Sequence, residues 1–282
     1  MNADDPLCFI GGEILPEREA KIPIRDRAFR YGEGLFEIVR VRRGRPFRLR
    51  AHLARLEAGA VTLGIARRES EDEIVRSVEA LLERWSARDG VLRIVLTAGD
   101  PPELPPTLIA TILPPRPVPQ AARERGVTVE VAGPRQSPAS PLPRLKSLNY
   151  LERTLARRTA ESHGHFEALF VDPAGHVAEG AQSNIFWARG DLLRTPARSL
   201  GILPGVMRNI VIELAAATGV RVKEGSYPLS DLYAADEAFL TNALVGVLPV
   251  RVVEERPLRF CPGPLTGGLA AQIEALVEME CA

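Results

Sequence analysis

Residues 144–156 read RLKSLNYLERTLA and place Lys146 between Leu145 and Leu148. A helix is predicted to follow from about Tyr150 to Ser162. The two leucines are expected to remove water from the lysine amine, and desolvation lowers the pKa of an amine towards neutrality. A partly neutral amine is what a Schiff-base nucleophile and proton shuttle requires. Taken alone, the segment still favours a simpler interpretation, a lysine at a loop–helix junction whose amine reaches solvent.

The scarcity of lysine gives Lys146 more weight. Of the 36 basic residues only three are lysines, Lys21, Lys146 and Lys223, so the other 33 are arginines. Chance would account for any single lysine in this background. A reaction that needs a primary amine cannot use arginine, however, because guanidinium stays protonated and is a poor nucleophile.

The composition is that of a globular protein with a sizeable core. The 282 residues are 45% hydrophobic and 26% charged, enough for one large domain or two smaller ones. The 36 basic residues balance 36 acidic ones, so charge favours neither nucleic acid nor an anionic membrane as a partner. Residues 1–16 lack the features of a signal peptide, and no stretch approaches the roughly 20 apolar residues of a membrane span. Three scattered cysteines suit a reducing cytoplasm, where we expect the protein.

A proline- and arginine-rich stretch, PPRPVPQAARERG at residues 114–126, divides the predicted elements into two groups. We take residues 116–126 as a linker between a small α+β domain, residues 1–115, and a larger α/β, barrel-like domain, residues 127–282. The elements expected in the small domain are a hairpin turning at Gly11 and Gly12, a strand from Leu35 to Val41, helices from about Ala51 to Leu63 and from Ser70 to Trp85 with Ser70 and Glu73 as a capping box, and the strands VLRIVLTA and TLIATIL.

The larger domain is expected to begin with the strand VTVEVAG and a proline-rich loop that leads to Lys146. Beyond the helix after Lys146 come two hairpins, EALFV with HVAEG and NIFWA with LLRTP. The remaining elements are a helix after Pro204 and Gly205, the strands VRVKEG, EAFLTNA and LPVRVVE, and a last helix from about Pro264 to Met279.

The segment HVAEGAQSNIFWA offers a carboxylate at the end of a predicted strand. If Glu179 is buried there, it needs a cationic or protonated partner, and a pyridinium nitrogen would serve. Ser183 and Asn184 would then orient the site. An exposed glutamate at a strand end is the alternative.

Two other segments could bind a phosphate. Val206 and Met207 follow Gly205 at a helix start, where free N–H groups and the helix dipole attract anions. Arg55 stands one position off the apolar stripe of its helix, from which its planar fork could reach a phosphate bidentately. Many helix starts bind nothing, and the Arg55 segment taken alone favours an outward arginine paired with a surface carboxylate.

Other familiar chemistries lack their residues in this sequence. His163 and His165 stand in a predicted turn without a nearby Cys or Asp pair, so we expect an exposed loop and no metal. The glycine-rich pieces YGEGLFE and LTGGLAA match neither a phosphate loop nor a dinucleotide fingerprint, and there is no G-x-S-x-G nucleophile elbow.

In their order and spacing, the segments around Arg55, Lys146, Glu179 and Gly205 resemble those of the class IV (fold type IV) pyridoxal-phosphate enzymes. This family includes branched-chain aminotransferases, D-amino-acid aminotransferases and aminodeoxychorismate lyases. The resemblance extends from DRAFRYGEGLFE to TNALVGVLPV, most of the chain. It implies a small α+β domain and a larger pseudo-barrel domain with the cofactor between them, in a molecule that is at least a homodimer.

The resemblance also implies a role for each matching residue. Lys146 would hold pyridoxal 5′-phosphate as a Schiff base, Glu179 would face the pyridine nitrogen, and Arg55 would bind the phosphate. Phe36, from the same or the partner subunit, would line the substrate pocket. The remaining cofactor contacts implied are the backbone N–H groups of Val206 and Met207, Asn242 and Ala243 near the phosphate, and Leu203 packed against the ring.

The chain departs from the transaminases of the family at three places. It reads GVMR at residues 205–208 where many have Gly-Ile-Thr-Arg, and TNAL at residues 241–244 where branched-chain enzymes usually have Thr-Gly-Thr-Ala. Ala98 stands where D-amino-acid aminotransferases place a carboxylate-binding arginine. The motifs LKSLNYLERTLAR, VMR and TNALVGVLPV look most like those of aminodeoxychorismate lyases.

We therefore expect a lyase that acts on a small amino-acid-like molecule, 4-amino-4-deoxychorismate, and supplies 4-aminobenzoate for folate synthesis. Lys146 would act as general base and acid, and Arg30 and Arg93 are candidates for binding the substrate carboxylates. An aminotransferase of branched-chain or D-amino acids is the alternative with the same cofactor. A non-catalytic protein that has kept the fold is a third hypothesis, which Lys146 and Glu179 disfavour.

Overall fold

A computed structural model describes residues 6–115 and 118–282. Residues 116 and 117, the first two of the predicted linker, lie outside the described residues. The domain bounds 1–115, 116–126 and 127–282 stay a prediction. By packing, the chain forms a first unit made of Met1–Arg116, Leu145–Asn149 and Val277–Ala282, and a second unit made of Pro117–Arg144 and Tyr150–Leu276.

The first unit is built on a six-stranded antiparallel sheet. Its strand order is β2-β1-β6-β5-β3-β4, and the predicted hairpin is confirmed because β1 pairs with β2 around Gly11 and Gly12. Both glycines have positive φ angles, 57° and 101°, which favour glycine at this turn. The strands are β1 (Leu7–Ile10), β2 (Glu13–Pro16), β3 (Gly34–Arg42), β4 (Arg45–Pro46), β5 (Gly90–Thr97) and β6 (Leu108–Leu113).

Three helices belong to the first unit: α1 (Arg27–Tyr31), α2 (Leu49–Leu63) and α3 (Glu71–Leu82). The capping box expected before α3 is present, since the Ser70 hydroxyl accepts from the Glu73 N–H and the Glu73 carboxylate accepts from the Ser70 N–H. The predicted stripe of α2 is buried at Leu53, Leu56 and Ala60, and it packs with one face of the sheet into a continuous apolar core.

The second unit is built on a nine-stranded mixed sheet that confirms the barrel-like prediction. The order is β12-β11-β10-β13-β14-β7-β8-β9, with β15 paired to β14. At one end of this order β9 contacts β10 and β11 near the other end, so the sheet curls back on itself. The strands are β7 (Val127–Val131), β8 (Glu167–Val171), β9 (Val177–Gly180), β10 (Asn184–Arg189), β11 (Leu192–Pro196), β12 (Arg221–Gly225), β13 (Glu237–Asn242), β14 (Gly246–Val253) and β15 (Arg256–Pro257).

Three further helices were predicted, one from about Tyr150 to Ser162, one after Gly205 and one from about Pro264 to Met279, and all three are confirmed. Two short helices, α4 (Gln120–Arg125) and α7 (Leu229–Tyr233), were not predicted. The stretch predicted to lack core elements contains α4, and none of the residues of this helix is buried. Among the residues described, no helix is long and apolar enough to cross a membrane. The other helices are α5 (Leu151–Ser162), α6 (Val206–Ala217) and α8 (Pro264–Glu280).

Candidate active site

Lys146 is held against strand β3 by the main chain. The Phe36 N–H donates to the Lys146 carbonyl at 2.8 Å, and the Leu148 N–H donates to the Gly34 carbonyl at 2.9 Å. An isolated bridge between Leu35 and Ser147 completes this short antiparallel pairing. The lysine expected from the sequence to sit in a loop before a helix is therefore fixed by hydrogen bonds like a strand residue.

The ring of Phe36 lies close to two cationic side chains, those of Lys146 and Arg93. The Nζ atom of Lys146 is 4.5 Å from the ring centroid, and the guanidinium carbon of Arg93 is 4.7 Å from it. Lys146 and Arg93 are both partly buried. An aromatic face attracts cations by its quadrupole and can fix the place of both groups. The structure thus brings together three of the residues predicted from the sequence, Lys146, Phe36 and Arg93.

Arg93 is the better placed of the two candidates for a substrate carboxylate. Burial lowers the pKa of its guanidinium, and within residues 6–115 and 118–282 no carboxylate forms an ion pair with it. Arg30 lies on the exposed side of α1, where it contacts the Tyr31 hydroxyl and approaches Asp100 at 3.8 Å. A partly desolvated cation without a carboxylate suits an acidic ligand more than a paired surface arginine does.

Arg55 points inward, so the alternative of a surface pair is wrong. Its side chain is 12% exposed, and its Nε and Nη2 atoms donate to the two carboxylate oxygens of Glu37 at 2.8 and 2.6 Å. Glu37 therefore occupies the bidentate edge of the guanidinium fork. The phosphate contact expected from Arg55 stays a prediction.

Glu37 and His52 form the buried support of Arg55. The Nδ1 atom of His52 lies 2.7 Å from Glu37 Oε2. Burial alone would raise the pKa of Glu37, but Arg55 and His52 outweigh it and hold the pKa at about 2. Burial lowers the pKa of His52, so its ring is neutral at neutral pH and we assign the proton to Nδ1, which donates to the carboxylate.

The sequence interpretation missed Glu37, although a signal was present. Successive residues of a strand face opposite sides, so residues 35, 37, 39 and 41 share one face of β3. Leu35, Val39 and Val41 lie in the core, and Glu37 is buried with them. A carboxylate on an otherwise apolar strand face requires a cation, and Arg55 is that cation.

Glu179 is buried, so the alternative of an exposed strand-end glutamate is wrong. It is 2% exposed on β9, and four donors surround its carboxylate. Oε2 accepts from the Leu203 N–H at 3.0 Å and from the Asn184 side-chain amide at 3.1 Å. Oε1 accepts from Arg153 Nη2 at 2.5 Å and lies 3.5 Å from Gln136 Nε2. The predicted residues Glu179, Asn184 and Leu203 therefore meet in one network.

Arg153 and Gln136 belong to this network and were not predicted from the sequence. The buried residue Ala160 on α5 stands seven positions after Arg153, and Ala156 stands three after it, so the three share a helix face. That spacing was a readable sign that Arg153 faces inward. Nothing near Gln136 in the sequence indicates its place, because a proline-rich loop has no periodicity.

Ser183 is supported by a second buried carboxylate. Its hydroxyl donates to Glu167 Oε2 at 3.0 Å, and the Gln182 N–H donates to the same oxygen at 3.2 Å. Burial raises the pKa of Glu167. In addition, Asn242 Nδ2 donates to the Gln182 carbonyl while Asn242 Oδ1 accepts from the Leu244 N–H. Glu167 and Asn242 thus fix the turn that carries Ser183.

The helix α6 begins at Val206 and Met207, as predicted, and the phosphate contact expected from their N–H groups stays a prediction. Its N-cap is Gly205, which supplies no side-chain hydrogen bond to the helix. A Cβ atom at Gly205 would stand 2.0 Å from Asn184 Oδ1, so only glycine allows the amide to approach there. The first N–H groups of a 12-residue helix are thereby left to a ligand or to water. Ala243, partly buried, lies in the turn after β13.

The groups found in each unit suit different parts of pyridoxal phosphate. The second unit has a buried carboxylate suited to a protonated ring nitrogen and an uncapped helix start suited to a phosphate, and the first has a partly buried lysine amine suited to a carbonyl carbon. By contrast, within the described chain no group of three or more His, Cys, Asp or Glu side chains could hold a metal ion. Each of these groups is compatible with the cofactor that the family resemblance implied.

Comparison with known proteins identifies the family. The family model described as Amino-transferase class IV matches residues 34–253, and the chain belongs to this family. It is 35% identical over 256 residues to a putative branched-chain-amino-acid aminotransferase of Methanocaldococcus jannaschii, covering 88% of each protein. It is 33% identical over 258 residues to the aminodeoxychorismate lyase of Bacillus subtilis, covering 88% of this chain and 87% of the relative.

Solved structures agree in fold, and one of them contains a form of the cofactor. The branched-chain amino acid aminotransferase of Escherichia coli superposes with a TM-score of 0.91 at 26% identity, covering 97% of this chain and 95% of that one. The 4-amino-4-deoxychorismate lyase of Pseudomonas aeruginosa gives a TM-score of 0.82 at 32% identity, covering 95% and 98%. A further branched-chain amino acid aminotransferase, with a TM-score of 0.90 at 25% identity, was solved with pyridoxamine 5′-phosphate. The protein is a class IV enzyme, lyase or aminotransferase, whose cofactor is pyridoxal 5′-phosphate.

Proposed function

We propose that the protein is a 4-amino-4-deoxychorismate lyase, which releases pyruvate and 4-aminobenzoate for folate synthesis. We further propose that it works in the cytoplasm as a homodimer. The observation that carries the proposal is the pair of cations on one ring, with Lys146 Nζ 4.5 Å and the Arg93 guanidinium 4.7 Å from the centroid of Phe36. A proton-transferring amine beside a cation suits a substrate that carries carboxylates as well as a carbon that loses a proton, as 4-amino-4-deoxychorismate does.

Sequence similarity supports the same choice. The segment LKSLNYLERTLAR has the form of the lyase motif, and 33% identity to a curated lyase extends over 88% of the chain. Among the solved structures compared above, the lyase has the higher identity, 32% against 26% for the Escherichia coli aminotransferase.

Each cofactor contact in the proposal has a residue suited to it. Lys146 would provide the covalent attachment, and Glu179 would face the ring nitrogen. Arg55 and the N–H groups of Val206 and Met207 would bind the phosphate. Asn242 and Ala243 would lie near the phosphate, Leu203 would pack against the ring, and Ser183 and Asn184 would hold the surrounding turn and helix start in place.

The reaction itself would depend on Lys146 and Arg93. The cofactor, when bound, supplies an electron sink for the pair left behind by a departing proton. Lys146 Nζ would remove the proton from the substrate carbon that bears the amino group. The neighbouring ring carbon would then lose its C–O bond to the enolpyruvyl group as the ring becomes aromatic, and Lys146 would return the proton to the departing enolpyruvate, which leaves as pyruvate. Arg93 would hold a substrate carboxylate, and the apolar ring of Phe36 would keep water away from the amine.

An aminotransferase of branched-chain or D-amino acids is the second candidate. The 35% identity to a putative branched-chain aminotransferase and the TM-score of 0.91 to a solved one favour it. Both candidates use Lys146 in the same way, and they differ in where the amino group goes.

A direct assay separates the two. Purified protein loaded with cofactor is mixed with 4-amino-4-deoxychorismate in the absence of any 2-oxo acid, and pyruvate and 4-aminobenzoate are measured. The proposal expects both products in equal amounts. If no pyruvate forms, while amino groups pass from an amino acid to 2-oxoglutarate, the lyase assignment is wrong and the aminotransferase stands.

The two candidate arginines offer a matched comparison in the same assay. Arg93→Gln is expected to raise KM for the substrate by about 10- to 100-fold, because a charged hydrogen bond to a carboxylate contributes about 1.5–3 kcal/mol. Arg30→Gln removes the same charge from the exposed face of α1. It is expected to change KM by less than about threefold. The reverse order would assign the carboxylate to Arg30.

A further inference from the structure

We propose that Arg153 is a positioning residue that keeps the Glu179 carboxylate ionised and oriented before any cofactor binds. The inference rests on the placement of Glu179 at the ring nitrogen in the proposed function. It adds a residue that neither the sequence motifs nor the family resemblance identified, and it holds for a lyase and an aminotransferase alike.

The first support is the way Arg153 is fixed. Its side chain is 14% exposed and its guanidinium makes contacts on several sides. Nη1 donates to the Gly180 carbonyl at 3.1 Å, and Nη2 donates to Gln136 Oε1 at 3.1 Å and to Glu179 Oε1 at 2.5 Å. The rings of Tyr150 and Phe170 lie 5.9 and 5.6 Å from the guanidinium carbon. A guanidinium held on so many sides presents a fixed charge to Glu179.

The second support is the charge count around the carboxylate. Three of its four donors are neutral: the Asn184 amide, the Leu203 N–H and the Gln136 amide. Arg153 alone among these donors brings a positive charge. Neutral donors can orient a buried carboxylate, but a buried negative charge also requires a compensating one.

The electrostatics of Arg153 agree with this pairing. Burial acts to lower the pKa of its guanidinium, but Glu179, Tyr150 and Glu167 together outweigh burial and the pKa is raised. Glu167 of β8 is itself acted on by the charge of Arg157, which lies on α5.

The consequence concerns the proton shared with the ring nitrogen. A carboxylate already stabilised as an anion by Arg153 has less tendency to take that proton, so the proton stays on the nitrogen, where it promotes electron withdrawal. Without Arg153, the buried carboxylate is expected to become a neutral acid in the cofactor-free protein.

The test measures the protonation of Glu179 directly. Infrared spectra of the cofactor-free protein are recorded at neutral pH for the unmodified chain, Arg153→Lys, Arg153→Gln and the double variant Arg153→Gln/Glu179→Gln. Burial raises the pKa of Glu167, so any carbonyl band of a protonated carboxylic acid in the unmodified chain is taken as the baseline. A carbonyl band in addition to that baseline should appear in Arg153→Gln alone. Its absence there, or its persistence in the double variant, would overturn the proposal. Arg158→Gln, an exposed charge removed from the same helix, serves as the control and should add no band.

Cofactor affinity provides a second readout that separates positioning from general structural support. Arg153→Gln should raise the Kd for pyridoxal phosphate about tenfold or more, and Arg153→Lys should restore most of the affinity. In a Glu179→Gln background the arginine substitution should have little further effect, because Arg153 acts through the carboxylate. Equal losses in both backgrounds would mean that Arg153 only supports the fold.

The same set of variants distinguishes a failure of the proposed function from a failure of the role proposed for Arg153. If Glu179→Gln itself leaves the Kd unchanged, the placement of Glu179 in the proposed function is wrong and the inference falls with it. If Glu179→Gln weakens binding and Arg153→Gln does not, the placement stands and only the role of Arg153 is wrong. The double variant, which removes both buried charges, provides a folded reference if the single variant is unstable.

Discussion

Two buried glutamates, one in each unit, are each paired with an arginine, but in different ways. Glu37 receives both donors of one edge of Arg55 and the ring nitrogen of His52. Glu179 receives one arginine nitrogen, with two side-chain amides and a backbone N–H making up the rest. Both carboxylate oxygens of Glu37 therefore accept hydrogen bonds from the same arginine, which fits a residue that supports Arg55. Glu179, with a single cation and several neutral donors, suits a carboxylate that must also face a charged ligand.

The largest expected effect is the loss of the support beneath Arg55. Glu37→Gln should lower the free energy of unfolding of the cofactor-free protein by about 3 kcal/mol at neutral pH, since it removes the charge that holds Arg55 and the acceptor of His52. Urea unfolding followed by circular dichroism measures it. A loss below about 0.5 kcal/mol, the usual size for a surface change, would show that Glu37 is no support.

The same pair predicts acid sensitivity with a defined sign. The pKa of Glu37 is about 2 in the folded protein and 4.5 is its reference value, so the stabilisation is present above about pH 4.5 and is lost as the pH falls towards 2. The stability difference between the unmodified chain and Glu37→Gln should therefore shrink over that range. A difference that stays constant between about pH 5 and about pH 2.5 would contradict the assignment of the low pKa to Glu37.

A smaller effect is expected on the other side of the comparison. Asn184→Ala removes one donor to Glu179 Oε2 and another to the Leu203 carbonyl, but leaves Arg153 and the Leu203 N–H in place. Stability should fall by about 1–2 kcal/mol, and the affinity for pyridoxal phosphate should fall as well. Thermal unfolding and a fluorescence titration give the two numbers. An unchanged affinity would remove Asn184 from the cofactor site.

The smallest expected effect belongs to a position that supports neither glutamate. Ser70→Ala breaks the capping box of α3 and should cost about 1 kcal/mol. The Kd for pyridoxal phosphate should not change. A loss of cofactor affinity in this variant would mean that general destabilisation alone affects binding, and the interpretation of the variants at Glu37 and Asn184 would need correction for it.

The sequence predicted the elements of the fold well and the partners within the site poorly. The hydrophobic periods of α2, α3 and α5 and the hairpin glycines are local features, so the sequence shows them directly. Contacts between residues that are far apart in the sequence were not predicted. Glu37 and Arg55 are 18 residues apart, and Arg153 and Glu179 are 26 apart. Only the folded chain brings such groups together.

The departures from expectation have the same cause. Arg55 was expected to offer its bidentate edge to a phosphate, and Glu37 takes that edge because β3 and α2 pack face to face in one core. Lys146 lies in a loop before α5, as expected, and the unexpected feature is the main-chain pairing with β3 that fixes it there. In both places a strand supplied the partner, and a strand's long-range neighbours cannot be deduced from its own residues.

The covalent site of the cofactor is the most direct test of the account. Protein loaded with pyridoxal phosphate is reduced with borohydride, digested and mapped by mass spectrometry. The chain has three lysines, so the outcome is unambiguous. We expect the phosphopyridoxyl label on Lys146 alone. A label on Lys21 or Lys223, or an unlabelled protein, would contradict the assignment of Lys146 and with it the proposed mechanism.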